Sequence, residues 1–184
     1  MFDSIGSLEK DGFVGFKTVA ELRANRSCIP KERGVYIVFY NGDEHPAFLS
    51  KGFGGEFKGE DKNVAISKLE EKWLSGPIVI YIGQAGGKIN GKLSDSTLFG
   101  RIDAYIRYGM GENIGHQGGC YIWQIDGCES LLVCWKRLPS EVVDPEEAEC
   151  ELLFSFKARY GRLPFANRKG CRKKGKGKLS VTIT

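Results

Sequence analysis

Two runs, GVYIVFYN at residues 34–41 and PIVIYIG at residues 77–83, decide the fold. Both are β-branched and aromatic, and both are bounded by glycine or proline, so they read as strands. The second is apolar almost without interruption, which predicts a central strand buried on both faces. The first ends at Asn41, Gly42 and Asp43, a turn signal. HPAFLS (45–50) then reads as the returning strand of a hairpin. CYIWQID (120–126) and SLLVCWKRL (130–138), separated by a turn at Gly127, read as a second hairpin. Working outward, helical spacing predicts KTVAELRA (17–24) and DKNVAISKLEEKWL (61–74), where Ile66, Leu69 and Trp73 share a face. A third helix covers about 97–108, capped by Ser94 or Asp95. A fourth runs from Pro145 to Tyr160, with Asp144 before it and Gly161 after it. The expected class is α+β: a small, mainly antiparallel sheet flanked by helices, with one helix inserted between the first two strands.

With 184 residues, 41% hydrophobic and 27% charged, the chain suits one globular domain. It shows no membrane-length apolar run, and MFDSIGSLEK lacks an export pattern, so a cytoplasmic protein with no membrane partner is expected. The net charge of +4 is unevenly placed. Residues 168–184 hold seven Lys or Arg and no acid, leaving 20 basic against 23 acidic residues elsewhere. The expected organisation is an N-terminal extension with a short helix (1–33), a body (34–167) with an insertion at about 42–76, and a basic tail (168–184).

Six cysteines, at 28, 120, 128, 134, 150 and 171, show no zinc-type Cys-x2-Cys or Cys-x4-Cys spacing, and there are two histidines, His45 and His116. Reduced thiols, several of them core fillers, are the expectation. A metal would have to be held mainly by carboxylates and water, which points to magnesium or manganese.

Helical wheels single out two charged residues. On the helix 145–160, Leu152, Leu153, Phe156 and Tyr160 define an apolar face with Glu149 at its centre. A carboxylate there is costly unless paired or metal-bound; it can also reach solvent at the helix end or meet a buried arginine. On the helix 97–108, Arg101 sits at the edge of a face made by Leu98, Ile102, Tyr105 and Ile106. That guanidinium suits either a phosphate or a structural bridge to an acid. Tyr36 and Tyr81 each sit inside an apolar strand beside a glycine, Gly34 and Gly83.

Taken in order, these residues resemble the GIY-YIG nucleases. Gly34-Val35-Tyr36 resembles the first tripeptide, with Val for Ile, and Tyr81-Ile82-Gly83 matches the second. Arg101 and Tyr105 in FGRIDAYI fit the arginine and the Tyr or His one turn later. Glu149 in ECELL fits the metal-binding glutamate, and Asn167 in LPFAN fits the closing asparagine. The resemblance covers residues 34–167. It departs from the family in the 45 positions between Tyr36 and Tyr81 and in Gln84, where several members carry lysine; Lys88 or Lys92 would then supply that charge.

The resemblance implies a metal-dependent endonuclease acting on DNA, with Mg²⁺ or Mn²⁺ on Glu149. Tyr36 would be the general base, Tyr81 would position water or phosphate, and Arg101 would stabilise the transition state. Tyr105 would orient the phosphate or the water, and Asn167 would position its neighbours. The alternative is a catalytically weak or inactive DNA-binding protein on the same scaffold. His116 reads as a loop or DNA-contacting residue, able to assist proton transfer. Arg168, Lys169, Arg172, Lys173 and Lys174 are the tail's candidates for backbone phosphates. A homodimer or a partner protein would supply sequence specificity. The implied setting is bacterial or phage-like, and nucleoid-associated on DNA. A small-nucleotide site is disfavoured, because the glycine runs at 52–55 and 83–87 lack the strand-to-helix context.

Overall fold

The computed structural model of the chain describes residues 2–54, 56–89, 92–116, 118–139 and 142–171. The first half contains α1 (Ile5–Lys10), β1 (Val14–Thr18), α2 (Val19–Ala24), β2 (Gly34–Phe39), β3 (Glu56–Phe57), β4 (Glu60–Asp61) and α3 (Ile66–Lys72). The second half contains β5 (Val79–Ala85), β6 (Lys88–Ile89), β7 (Lys92–Leu93), α4 (Leu98–Gly109), α5 (Gly119–Ile122), β8 (Leu132–Arg137) and α6 (Pro145–Tyr160). The class is α+β. A four-stranded sheet in the order β1-β8-β2-β5 is antiparallel at every pairing.

Side chains alternate across this sheet. Tyr36, Val38, Tyr81, Val133 and Trp135 join one core with α2, α4 and α5. Val35, Ile37, Phe39, Ile82 and Cys134 join a second core with α1 and α6. Each fully buried Ile or Phe contributes about 1.5–3 kcal/mol, so the strands are held chiefly by their two covered faces. Among the described residues no helix is long and apolar enough to cross a membrane.

The helix ends follow local chemistry. Asp144 accepts from the Glu146 N–H, Pro145 opens α6, and Gly161 closes it at φ 76°. Thr18 and Glu21 form a reciprocal capping box on α2. The cap of α4 is Thr97, whose hydroxyl accepts from the Gly100 N–H at 3.1 Å, rather than Ser94 or Asp95.

Five features differ from the sequence reading. First, β5 is an edge strand, although both its faces are buried. Its outer edge is covered by the chain after α6: Ala166 N–H donates to the Ile80 carbonyl at 2.8 Å. The Asn167 amide accepts from the Ile82 N–H at 2.9 Å and donates to the Ile82 carbonyl at 2.8 Å. One side chain thus imitates a neighbouring strand and blunts the edge.

Second, residues 45–50 form no hairpin with β2, whose two edges are taken by β5 and β8. They lie instead along 124–126, with Phe48 bridging Ile125 and Leu49 N–H donating to the Gln124 carbonyl at 2.7 Å. Third, CYIWQID is not a strand. Gly119–Ile122 is helical, and Trp123 is buried with its indole N–H donating to the Tyr105 carbonyl at 3.2 Å. Fourth, the N-terminal extension contributes β1, paired to β8 through an irregular register between Val14 and Lys17. Fifth, Cys150 and Cys171 form a disulfide between α6 and the start of the basic tail. Cys120, Cys128 and Cys134 are buried free thiols, and Cys28 is exposed.

The chain between β2 and β5 is fastened to the body by buried Gln124. Its Oε1 accepts from the Val64 N–H at 2.7 Å, and its Nε2 donates to the Leu49 and Val64 carbonyls, each at 2.9 Å. The insertion therefore has a fixed position on the domain.

Candidate functional site

The register of β2 on β5 brings the two tripeptides together. Tyr36 lies opposite Gly83 and Tyr81 opposite Val38, so both phenols rise from one face with ring centroids 5.8 Å apart. The Tyr36 ring lies across the backbone at Gly83, where a Cβ would stand 2.6 Å from its Cζ. Gly118 admits Tyr81 in the same way, because a Cβ there would stand 2.6 Å from the Tyr81 ring. Glycine at these positions is a requirement of close approach.

His116, on the glycine-rich loop after α4, enters between the tyrosines. It is buried, with ring centroids 5.5 Å from Tyr81 and 5.2 Å from Tyr105. The Gly119 N–H, which can only donate, reaches His116 Nδ1 at 2.9 Å. The proton of the neutral imidazole is therefore on Nε2, which donates to the Tyr36 hydroxyl at 3.0 Å. Burial, and then the charge of Arg101, push the imidazole down to about 3, so it is neutral at any ordinary pH. The neighbouring Tyr36 and Tyr81 hydroxyls act on each other, raising the Tyr36 phenol and lowering that of Tyr81. Burial raises both phenols, and Tyr36 lies well above its usual value. Hydrogen bonds thus run from Gly119 through His116 to Tyr36, whose ring stands beside that of Tyr81 at the wall of a cleft.

That cleft, about 770 Å³, is lined by Tyr81, Gln84, Arg101, His116, Glu149 and Arg168, with Asp61 to Val64 of the insertion completing it. Arg101, in the first turns of α4, is exposed and makes no ion pair with a described carboxylate. Its charge acts on Glu149 without a direct ion pair between them. Glu149 projects from the first turns of α6, half-buried, with no hydrogen bond or ion pair among the described residues. Burial raises its carboxyl to about 7, Arg101 acting against that rise and Glu146 adding to it.

The other predicted residues divide. Tyr36 is fully buried behind Tyr81 and is not on the cleft wall, a poor place for a base that must touch water. Tyr105 is also fully buried, packed against His116 and Trp123, does not line the cleft, and its hydroxyl has no partner among the described residues. Asn167 serves as the β5 edge cap. Lys88 lines an adjoining hollow with Gln84, Glu149 and Lys169, whereas Lys92 on β7 is exposed and lines neither space. Gln84 Oε1 accepts from the Gly87 N–H at 3.0 Å, so its amide is tied to its own turn. Arg172, Lys173 and Lys174 lie outside the described residues.

Among the described residues no group of three or more His, Cys, Asp or Glu converges on one point. Glu149, half-buried at the cleft and without an ion pair among the described residues, has the chemistry that a hydrated magnesium or manganese ion takes, one or two carboxylates with waters retained.

Sequence reasoning underrated His116. The available signal was its place among Gly115, Gly118 and Gly119, which let a loop come this close to aromatic rings. No family model, curated protein or solved structure matches this chain.

Proposed function

We propose that the protein is a metal-dependent endonuclease that hydrolyses DNA phosphodiester bonds, with a GIY-YIG-like site. The observation that carries this reading is the convergence of Tyr81, Arg101 and Glu149 on one cleft from three separate elements, β5, α4 and α6. Phosphodiester hydrolysis needs a positioned water, a cation for the phosphoryl oxygens and a carboxylate-held metal. These three side chains match that set.

Arg101 binds the scissile phosphate and offsets charge as it builds on the phosphoryl oxygens. Glu149 would hold the metal, and magnesium or manganese there would supply Lewis-acid polarisation of the phosphate. Tyr81 is the phenol at the cleft wall. Burial raises this phenol and the Glu149 charge adds to the rise, while the neighbouring Tyr36 hydroxyl and the Arg101 charge act against it. Tyr81, rather than Tyr36, is the phenol placed to touch the attacking water, and it acts as the base only after its own proton has passed to solvent in the cleft. Tyr36 and His116 are positioning residues that support the Tyr81 oxygen from behind.

The decisive assay is nicking of supercoiled plasmid with Mg²⁺ or Mn²⁺. Cleavage by wild type, and its loss in Glu149→Gln and Arg101→Ala, is expected. No nicking by wild type, or undiminished nicking by both variants, overturns the reading. A DNA-binding protein without catalysis is the second reading, favoured by Gln84, whose amide is committed to Gly87 and brings no charge. Chelator-insensitive, salt-dependent binding without cleavage would select it.

A further inference from the structure

A third space, a hollow of about 320 Å³, has Arg168 in its wall and is lined by four cations: Lys72, Lys157, Arg162 and Arg168. They come from three parts of the chain: Lys72 ends the inserted helix α3, Lys157 stands in the last turn of α6, and Arg162 and Arg168 follow it. No acidic side chain lines the hollow, and none of the four makes an ion pair with a described carboxylate. This is unusual on a body whose acids outnumber its bases, and like charges gathered without a counter-charge repel one another.

Two of the four are held in place regardless. Arg162 Nη2 donates to the Glu71 carbonyl at 3.0 Å, and the Lys72 ammonium lies over the Tyr121 ring, 5.0 Å from its centroid. Lys72 is lowered from its usual value by burial and then by Arg162 and Arg168, the direction expected of cations facing each other. Arg168 lines this hollow and the cleft alike, so one guanidinium borders both.

We propose that Lys72, Lys157, Arg162 and Arg168 form a second phosphate subsite, which holds the backbone of the DNA strand as it leaves the cleft of Tyr81, Arg101 and Glu149. The assignment rests on the DNA-cleavage reading of that cleft. It also accounts for the insertion, because α3 delivers one of the four cations and the chain between the tripeptide strands thereby extends the DNA-contacting surface.

The subsite is tested by binding of a labelled DNA duplex to the full chain across a salt series, with chelator present to prevent cutting. The Lys72→Gln/Lys157→Gln/Arg162→Gln variant leaves Arg168 untouched, because that residue also borders the cleft. Its slope of log Kd against log salt should fall by roughly 2–3, with a loss of affinity of about tenfold or more near physiological salt. Lys72→Arg/Lys157→Arg/Arg162→Lys should keep the wild-type slope. If the triple glutamine variant melts early, Lys157→Gln/Arg162→Gln, both at exposed positions, should still lower the slope by about 2. An unchanged slope in the glutamine variants, or no binding by wild type, overturns the subsite. Wild type that cuts while the glutamine variants bind normally keeps the nuclease and removes the subsite. Wild type that binds with the expected slope change but never cuts keeps the subsite and removes the nuclease.

Discussion

The Tyr36 ring occupies the space that a side chain at Gly83 would need, directly across the β2–β5 ladder. Glycine in the second tripeptide is thus explained by packing before any chemistry is invoked. Gly83→Ala should force the Tyr36 ring aside, break its contacts with Tyr81 and His116, and cost about 1–3 kcal/mol. Urea denaturation monitored by tyrosine and tryptophan fluorescence measures this. A variant as stable as wild type would mean that the ring is free to move.

His116 and Glu149 make opposite contributions to stability against pH. The imidazole is depressed from 6.5 to about 3, so its contribution is complete above pH 6.5 and is lost as pH falls towards 3, where the unfolded chain binds the proton first. The carboxyl is raised from 4.5 to about 7, so its burial is harmless below pH 4.5 and becomes a penalty as pH rises to 7. Over about pH 5–6.5 the two effects oppose in wild type. Glu149→Gln should gain stability as pH rises through that window, by about 2 kcal/mol, and His116→Gln should lose it. Denaturation midpoints of both variants at about pH 5 and about pH 6.5 check the signs.

Metal should act through the same carboxylate. Mg²⁺ or Mn²⁺ at millimolar concentration should raise the melting temperature of wild type at about pH 8, where Glu149 is ionised, and leave Glu149→Gln unmoved. Equal shifts in both proteins would place the metal elsewhere.

Asn167→Ala removes both hydrogen bonds to Ile82 and exposes the edge of β5. A loss of about 1–3 kcal/mol is expected, together with faster hydrogen exchange at the Ile82 amide. Exchange at wild-type rates would show that the edge is covered by other means.

The disulfide has its own signature. The unfolded, unreduced protein should titrate four thiols, and reduction should lower its stability by about 3 kcal/mol for a separation of 21 residues. A count of six thiols removes the bridge.

Sequence and structure agree where local chemistry suffices. α6 was legible to the residue, because Asp144, Pro145 and Gly161 mark its ends and its apolar stripe isolates Glu149. The strands at 34–39, 79–85 and 132–137 were legible from composition. β1 was not: Gly15 and Phe16 both take positive φ, and the irregularity there breaks the alternation that announces a strand. CYIWQID has strand-like composition, yet packing of Trp123 beneath Tyr105 turns it into a helix, and no local pattern encodes that contact. Within the site, Arg101 and Glu149 were readable from helical wheels. The places of Tyr36, Tyr105 and His116 were not, since they depend on which ring stands in front of which.

β8 lies between β1 and β2, and it is the last strand of the sheet in sequence. Its two neighbours must wait, unpaired on those edges, until Arg137 has been synthesised. Long-range pairing of this kind slows folding, and the waiting edges are templates for association between chains. The strand that joins the two halves of the sheet is therefore also its schedule: during translation, everything N-terminal to β8 is committed to a sheet whose keystone has not yet arrived.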